Sequence, residues 1–212
     1  MRWISLGVLV AAGVVLALFW GDVPDRWVTH WGLHGQPNGW ATKSVAAAVL
    51  PLALGLVIWL VLEATAVWVA RSGRTKGVAP EMMAVQATIV RAASLGVSLL
   101  IGGLTIGLPL LRPRSSLPIV AAAWLDLGLV LTVAIAWAAR RVRRLRAAGV
   151  TLPEGYGGLV YKNPRDSRLW VPKLAGTGWT INFAHRLAWP VMIALVGVPL
   201  GIVLIVTLAT AR

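Results

Sequence analysis

Two histidines four residues apart, His30 and His34, sit in a short polar stretch with Trp31, Asn38, Trp40 and Lys43. Imidazole nitrogens bind transition metals and exchange protons near neutral pH. If Trp27–Leu33 is helical, the i, i+4 spacing sets both rings on one face, where they could share a zinc ion. A metallopeptidase helix would also carry a glutamate beside its first histidine, and this stretch has none. A third ligand would have to come from Asp22, Asp25 or a helix end. The same side chains could equally pin a loop to helix tops or touch a ligand directly. Gly32, Gly35 and Gly39 mark tight turns with positive φ, and Gln36-Pro37-Asn38-Gly39 reads as a β-turn.

Three more chemistry-bearing residues, Glu63, Arg91 and Asp126, interrupt otherwise apolar runs. An ionisable group inside a membrane span costs about 3 kcal/mol or more and is kept for a reason. Glu63 and Arg91 lie at matching depths in consecutive antiparallel spans. That spacing predicts an ion pair, with Gln86 one to two turns away and able to join it. Asp126 has no basic residue at its own depth. If a reaction occurs, Asp126 and His30 are its candidate catalytic pair.

The elements that must position these groups are membrane helices. The chain has 212 residues, 58% hydrophobic and 13% charged, with a mean hydropathy of +0.78. Several apolar runs reach the roughly 18–20 residues that cross a bilayer. Cysteine is absent, which excludes disulfides and thiolate chemistry. Most of the 12 tryptophans flank the apolar runs, as interfacial residues do. The expected fold class is an all-α polytopic membrane protein with five spans: Trp3–Trp20, Ser44–Ala70, Glu81–Leu111, Leu117–Trp137 and Arg186–Ala209. No small-x-small cleavage site follows the first run, so it reads as an anchor and not as a signal peptide. With the N-terminus in the cytoplasm, fourteen Lys and Arg fall inside and five outside, with Arg91 in a span. This bias sets the orientation: the histidine stretch and the C-terminus outside, the basic segment Arg140–His185 inside. The net charge of +13 therefore follows topology and does not point to nucleic acid. The basic run Arg140–Arg146 extends the fourth helix toward anionic lipid heads.

The organisation reads as residues 1–71 (two spans and the outer stretch), 72–140 (two further spans), 141–185 (the basic cytoplasmic segment) and 186–212 (the last span). Within 141–185, Leu159–Tyr161 and Leu169–Val171 read as two short strands with Asn163-Pro164-Arg165-Asp166 as their turn. Asn182 reads as the cap of the last helix, with His185 and Trp189 at its interfacial start. Lys162, Arg165, Arg168 and Lys173 offer a basic surface to lipid phosphate or an acidic protein partner.

Pro24-Asp25, His30-Trp31-Gly32, Gly35-x-Pro37 and Gly39-Trp40 with Lys43 resemble the N-terminal domain of unknown function in SdpI-type bacterial immunity proteins. His34 falls outside that pattern. The resemblance covers about the first third of the chain. It implies an extracytoplasmic loop between two helices, protection of a cell from a secreted toxic peptide, and recruitment of a cytoplasmic repressor to the membrane. Asn163-Pro164-x-Asp166-x-Arg168-Leu169-x-Val171-Pro172-Lys173 and Gly176-x-Gly178-Trp179-Thr180-x-Asn182-Phe183 resemble a second small family of unknown function, which names no reaction.

The expected function is a non-enzymatic protein of the bacterial inner membrane, of immunity or sensing type. His30, Trp31, His34, Asn38, Trp40 and Lys43 would contact a peptide or envelope ligand outside. Asn163, Asp166, Arg168, Lys173, Asn182 and His185 would serve a cytoplasmic partner. No cofactor is expected in this reading. The alternative is a membrane enzyme, a zinc peptidase or a peptide- or lipid-modifying enzyme, built on His30, His34 and Asp126. A transporter is disfavoured, because no inverted repeat or pair of broken helices is visible.

Overall fold

Long apolar runs without internal polar faces leave the backbone one way to satisfy its hydrogen bonds in lipid, the helix. The computed structural model follows that rule. It describes residues 2–32, 36–72, 78–112, 117–158, 160–174, 178–195, 197–198 and 201. The element order is α1 (Arg2–Leu18), a 3₁₀ turn (Trp20–Asp22), β1 (Arg26–Trp31), β2 (Pro37–Thr42), α2 (Val45–Ser72), α3 (Pro80–Leu111), α4 (Leu117–Ala147), β3 (Trp170–Pro172) and β4 (Trp179–Ile181). Three of the expected spans are long and apolar enough to cross a bilayer: α2, α3 and residues Ala121–Ala147 of α4. They suggest a membrane protein. The first expected span is a helix of 17 residues, about 25 Å long against the ~30 Å of a hydrocarbon core. The fifth is helical over 188–195, and most of its remainder lies outside the described residues.

The chain divides into two compact units, and neither is a continuous segment. The first comprises Met1–Thr65 and Thr88–Ile135, the second Ala66–Ala87 and Ala136–Arg212. In the first unit, small residues let helices approach closely. A Cβ on Gly55 would lie 3.0 Å from Leu9 and 3.1 Å from Ile101, and one on Gly102 3.3 Å from Ala12. So α1 packs against both α2 and α3. Much of α2 stays apolar and exposed, including Leu50, Leu54, Val57 and Leu60, as a lipid-facing surface would. Trp59 Nε1 donates to the Arg2 carbonyl (3.2 Å) and holds the start of α1 to α2.

The histidine stretch is an antiparallel hairpin, not a helix. Its first arm is rich in aromatic and β-branched residues (Trp27, Val28, Thr29, Trp31), which favour extended backbone. β1 pairs β2 through Arg26↔Thr42, Trp27↔Ala41, Val28↔Trp40, His30↔Gly39 and Trp31↔Pro37, with irregularities on both sides of His30. Pro37–Gly39 of the expected β-turn are therefore strand. Gly32 N–H donates to the Gln36 carbonyl (2.9 Å), and the bend between them lies outside the described residues. Gly32 and Gly39 are not in the left-handed region. Gly39 is needed for close approach instead: a Cβ there would lie 2.9 Å from His30 Cβ.

The second unit is built around a buried amide. Leu159 of the expected first strand lies outside the described residues, and among the described residues Val160 and Tyr161 do not pair with Leu169–Val171. β3 pairs with β4 instead, through Trp170↔Ile181, Val171↔Thr180 and Pro172↔Trp179. Tyr161 bridges to Tyr156 and, in parallel, to Asn182. Gly178, at φ 95°, leads into β4. Gly158, at φ 98°, lies against α4, where a Cβ would meet Val142 Cγ1 at 2.7 Å. Its carbonyl accepts a hydrogen bond from the Gln86 amide of α3. Among the described residues Gln86 thus bonds to this segment, whereas the sequence set it beside the Glu63–Arg91 pair.

Candidate functional site

The β1–β2 hairpin is anchored at its base. Leu16, Val23, Trp27 and Ala48 form a buried cluster, with Trp20, Ala41 and Leu108 packed on it. Lys43 Nζ donates to the Val23 carbonyl (2.8 Å) and lies 5.4 Å from the Trp20 ring centroid. A charged donor and a cation–π contact together tie the end of β2 to the turn after α1. Lys43 N–H also donates to the Asp25 carbonyl (2.8 Å), closing the hairpin mouth.

On this base the ligand candidates separate. His30 and Asn38 are exposed, and His30 Nδ1–H donates to Asn38 Oδ1. That bond orients the imidazole on the exposed face of the hairpin. Trp40 is half exposed, and the Arg26 guanidinium lies 5.6 Å from its ring centroid. Trp31 Nε1 is buried with no partner among the described residues. Lys43 is spent on the base.

His30 on a strand removes the helical face that would have aligned it with His34, and His34 itself lies outside the described residues. Among the described residues no group of three His, Cys, Asp or Glu could hold a metal ion. Among the described residues the catalytic pairing of His30 with Asp126 finds no contact either: His30 bonds to Asn38, and Asp126 Oδ2 is buried with no hydrogen-bond partner there.

Two residues the sequence did not single out complete the surface. A cavity of about 390 Å³ is bordered by Pro24, Arg26, Trp27, Trp40, Leu108 and Arg112. Arg112, just past the end of α3 at φ 48°, donates from Nη2 to the Asp22 carbonyl (2.9 Å). Among the described residues neither Arg26 nor Arg112 has a carboxylate partner, since the two ion pairs there are Glu63–Arg91 and Asp166–Arg168. Two guanidiniums and an indole edging an open cleft can hold a carboxylate or phosphate beside an apolar group.

Within the spans, Arg91 Nη2 meets Glu63 Oε1 at 2.7 Å, and Arg91 Nε reaches both carboxylate oxygens at 3.0 and 3.2 Å. The contact is a fork in which each group neutralises the other.

In the second unit, Asn182 is fully buried. Its Oδ1 accepts from the backbone N–H of Asn163 (3.0 Å) and Ala184 (3.1 Å). Its Nδ2 donates to the carbonyls of Asn163 and Asp166, both at 2.9 Å. Asn182 is thus a central tie and not the helix cap expected; His185 Nδ1 accepts from Leu187 N–H (3.1 Å) just before the helical residues 188–195. Asn163 and Asp166 each fold their own turn by accepting a backbone N–H two residues on. The Arg168 guanidinium, forked onto Asp166, holds that carboxyl well below the usual carboxylate range. Tyr161 O–H donates to Asp166 Oδ2 (2.8 Å). Burial raises the Tyr161 phenol above its ordinary value, and the Asp166 contact raises it further. Asn163, Asp166, Arg168 and Asn182 are therefore engaged with one another, while Lys162, Arg165 and Lys173 have exposed side chains.

Two domain families match the chain. Residues 7–55 match a "Domain of unknown function (DUF1648)", which covers α1, the hairpin and the start of α2. Residues 164–189 match a "Family of unknown function (DUF5808)", which covers β3, β4 and the Asn182 tie. Neither family has an assigned activity. No curated protein and no solved structure matches the chain.

Proposed function

We propose that the chain is a bacterial inner-membrane protein of immunity or sensing type, whose β1–β2 hairpin meets a peptide outside the cytoplasm. The observation that carries the reading is the cleft at the hairpin base. Arg26 and Arg112 border it without a carboxylate partner among the described residues, and Trp40 offers an exposed indole beside them. A peptide carboxylate would bind the guanidiniums while an apolar side chain covers Trp27 and Trp40. His30 and Asn38, held to each other, would supply polar contacts further out. The resemblance of the Pro24-to-Lys43 stretch to SdpI-type proteins supports the same reading, and the Lys and Arg bias supports the orientation. Lys162, Arg165 and Lys173 would face lipid phosphate or a protein partner in the cytoplasm.

The test is survival of a bacterium sensitive to a secreted antibacterial peptide, with and without the chain expressed. Protection that falls at least tenfold in the Arg26→Ala/Arg112→Ala double variant, and more weakly in His30→Ala, supports the reading. If expression gives no protection, and the purified chain binds the peptide equally well in both variants, the reading fails.

A further inference from the structure

The first unit holds a second cavity, between α3 and α4, that the reading above does not use; Leu108 borders both it and the hairpin cleft. It measures about 470 Å³ and is lined by Leu99, Gly103, Gly107, Ile119, Ala122 and their apolar neighbours on α3 and α4, with Asp126 as its one ionisable residue. The space exists because side chains are missing. A Cβ on Gly103 would meet no atom within 4 Å, and one on Gly107 would meet only Leu111, at 3.8 Å. Asp126 Oδ2 is buried and has no hydrogen-bond partner among the described residues. Arg91, the basic residue of α3, is already forked onto Glu63.

An acidic oxygen in an apolar wall needs a counter-charge or a proton. The volume is in the range that accepts small organic ligands, which is about 300–1,000 Å³. We propose that this cavity binds a small hydrophobic cation, an amine or ammonium on a compact apolar body, with Asp126 as its counter-ion. The ammonium N–H groups would satisfy the unpartnered oxygen, and the apolar body would fill the space over Gly103 and Gly107. Selectivity follows from the same two features. A hydrated inorganic cation gains nothing from the leucine wall, and a neutral hydrocarbon gains nothing from the carboxylate. The inference does not rest on the peptide reading, and its experiment uses a different ligand and different variants.

The full chain in nanodiscs of zwitterionic lipid is titrated with 1-adamantylammonium and, separately, with the neutral 1-adamantanol of matching shape; empty nanodiscs give the background. One adamantylammonium per chain, bound at least tenfold more tightly than adamantanol, is expected. In Asp126→Asn the preference for the cation should fall to near unity. In Gly103→Leu, which fills the space without a backbone clash, affinity for both compounds should fall at least tenfold. If Asp126→Asn does not fold, the Gly103→Leu result decides alone. Equal affinity of the wild type for the two compounds overturns the proposal. So does a preference that survives Asp126→Asn, or unchanged binding in Gly103→Leu. Occupation of the cavity by a second copy, seen as a dimer that excludes both compounds, overturns it as well.

Discussion

Replacing Asn182 with alanine should loosen the second unit more than any other single truncation there. The amide makes four hydrogen bonds from a fully buried position, two as acceptor and two as donor. At about 1 kcal/mol net for each bond, the loss is about 4 kcal/mol. Local opening would then become about a thousandfold more frequent, since ~1.4 kcal/mol is a factor of ten. Amide hydrogen exchange read by mass spectrometry, on the full chain in nanodiscs, measures that opening directly. The sensitive amides are those of Asn163, which donates to Asn182 Oδ1, and of Phe183, which donates to the Tyr161 carbonyl (2.9 Å). Asn182→Asp keeps the two acceptor bonds and loses the two donor bonds. It also sets a carboxylate oxygen against the carbonyls of Asn163 and Asp166 in a fully buried site, so it should cost at least as much as alanine. Amides of β1 and β2 belong to the other unit and should not change. Exchange at Asn163 and Phe183 within threefold of wild type in Asn182→Ala would refute the assignment of Asn182 as the tie.

Other perturbations have equally definite signs. Arg91→Met strands the Glu63 carboxylate and should destabilise the first unit by about 3 kcal/mol, whereas Glu63→Gln/Arg91→Met should recover most of that; chemical unfolding in mixed micelles measures both. Lys43→Met removes the bond to the Val23 carbonyl and the contact with Trp20, and should cost the hairpin about 2 kcal/mol, read as faster exchange of the β1 and β2 amides. The Asp166 carboxyl is held low in the folded chain, so its contribution is complete above its unfolded value of about 3.9 and is lost as pH falls toward the folded value. Protection factors in the second unit, with the intrinsic pH dependence of amide exchange divided out, should therefore fall below about pH 4, and Asp166→Asn should flatten that dependence.

The parts legible in the sequence were those governed by local hydrophobicity or by counting along helices. The apolar runs of α2, α3 and α4 exceed what a soluble helix can hide. Glu63 and Arg91 could be placed at equal depth because both count back from one short connection. The hairpin was harder. The spacing of His30 and His34 fits a helix turn, but the aromatic and β-branched residues around it prefer extended backbone, and the cross-strand pairing of His30 with Gly39 decided the outcome. In the second unit, three-residue strands carry too little periodicity to name their partners. Spacing alone sets 169–171 against 159–161, whereas in the structure Trp170–Pro172 pairs with Trp179–Ile181 and Asn182, just after that strand, bonds to four backbone groups. The Arg26–Arg112 cleft had no local signal. Its two cations are 86 positions apart, and only the packing of the α3 end beside the hairpin brings them to one opening.

Gly158 has a consequence for how the chain is made. Its left-handed turn rests on Val142, and its carbonyl is held by Gln86, so the stretch that follows α4 is shaped by two helices synthesised before it. Both helices precede residue 158 in the chain, so their surfaces are synthesised before the strands that follow it. The same dependence makes the segment a poor candidate for excision. Residues 148–185 expressed alone would lack the wall and the amide that set their first bend, and should emerge from the ribosome as an unstructured peptide.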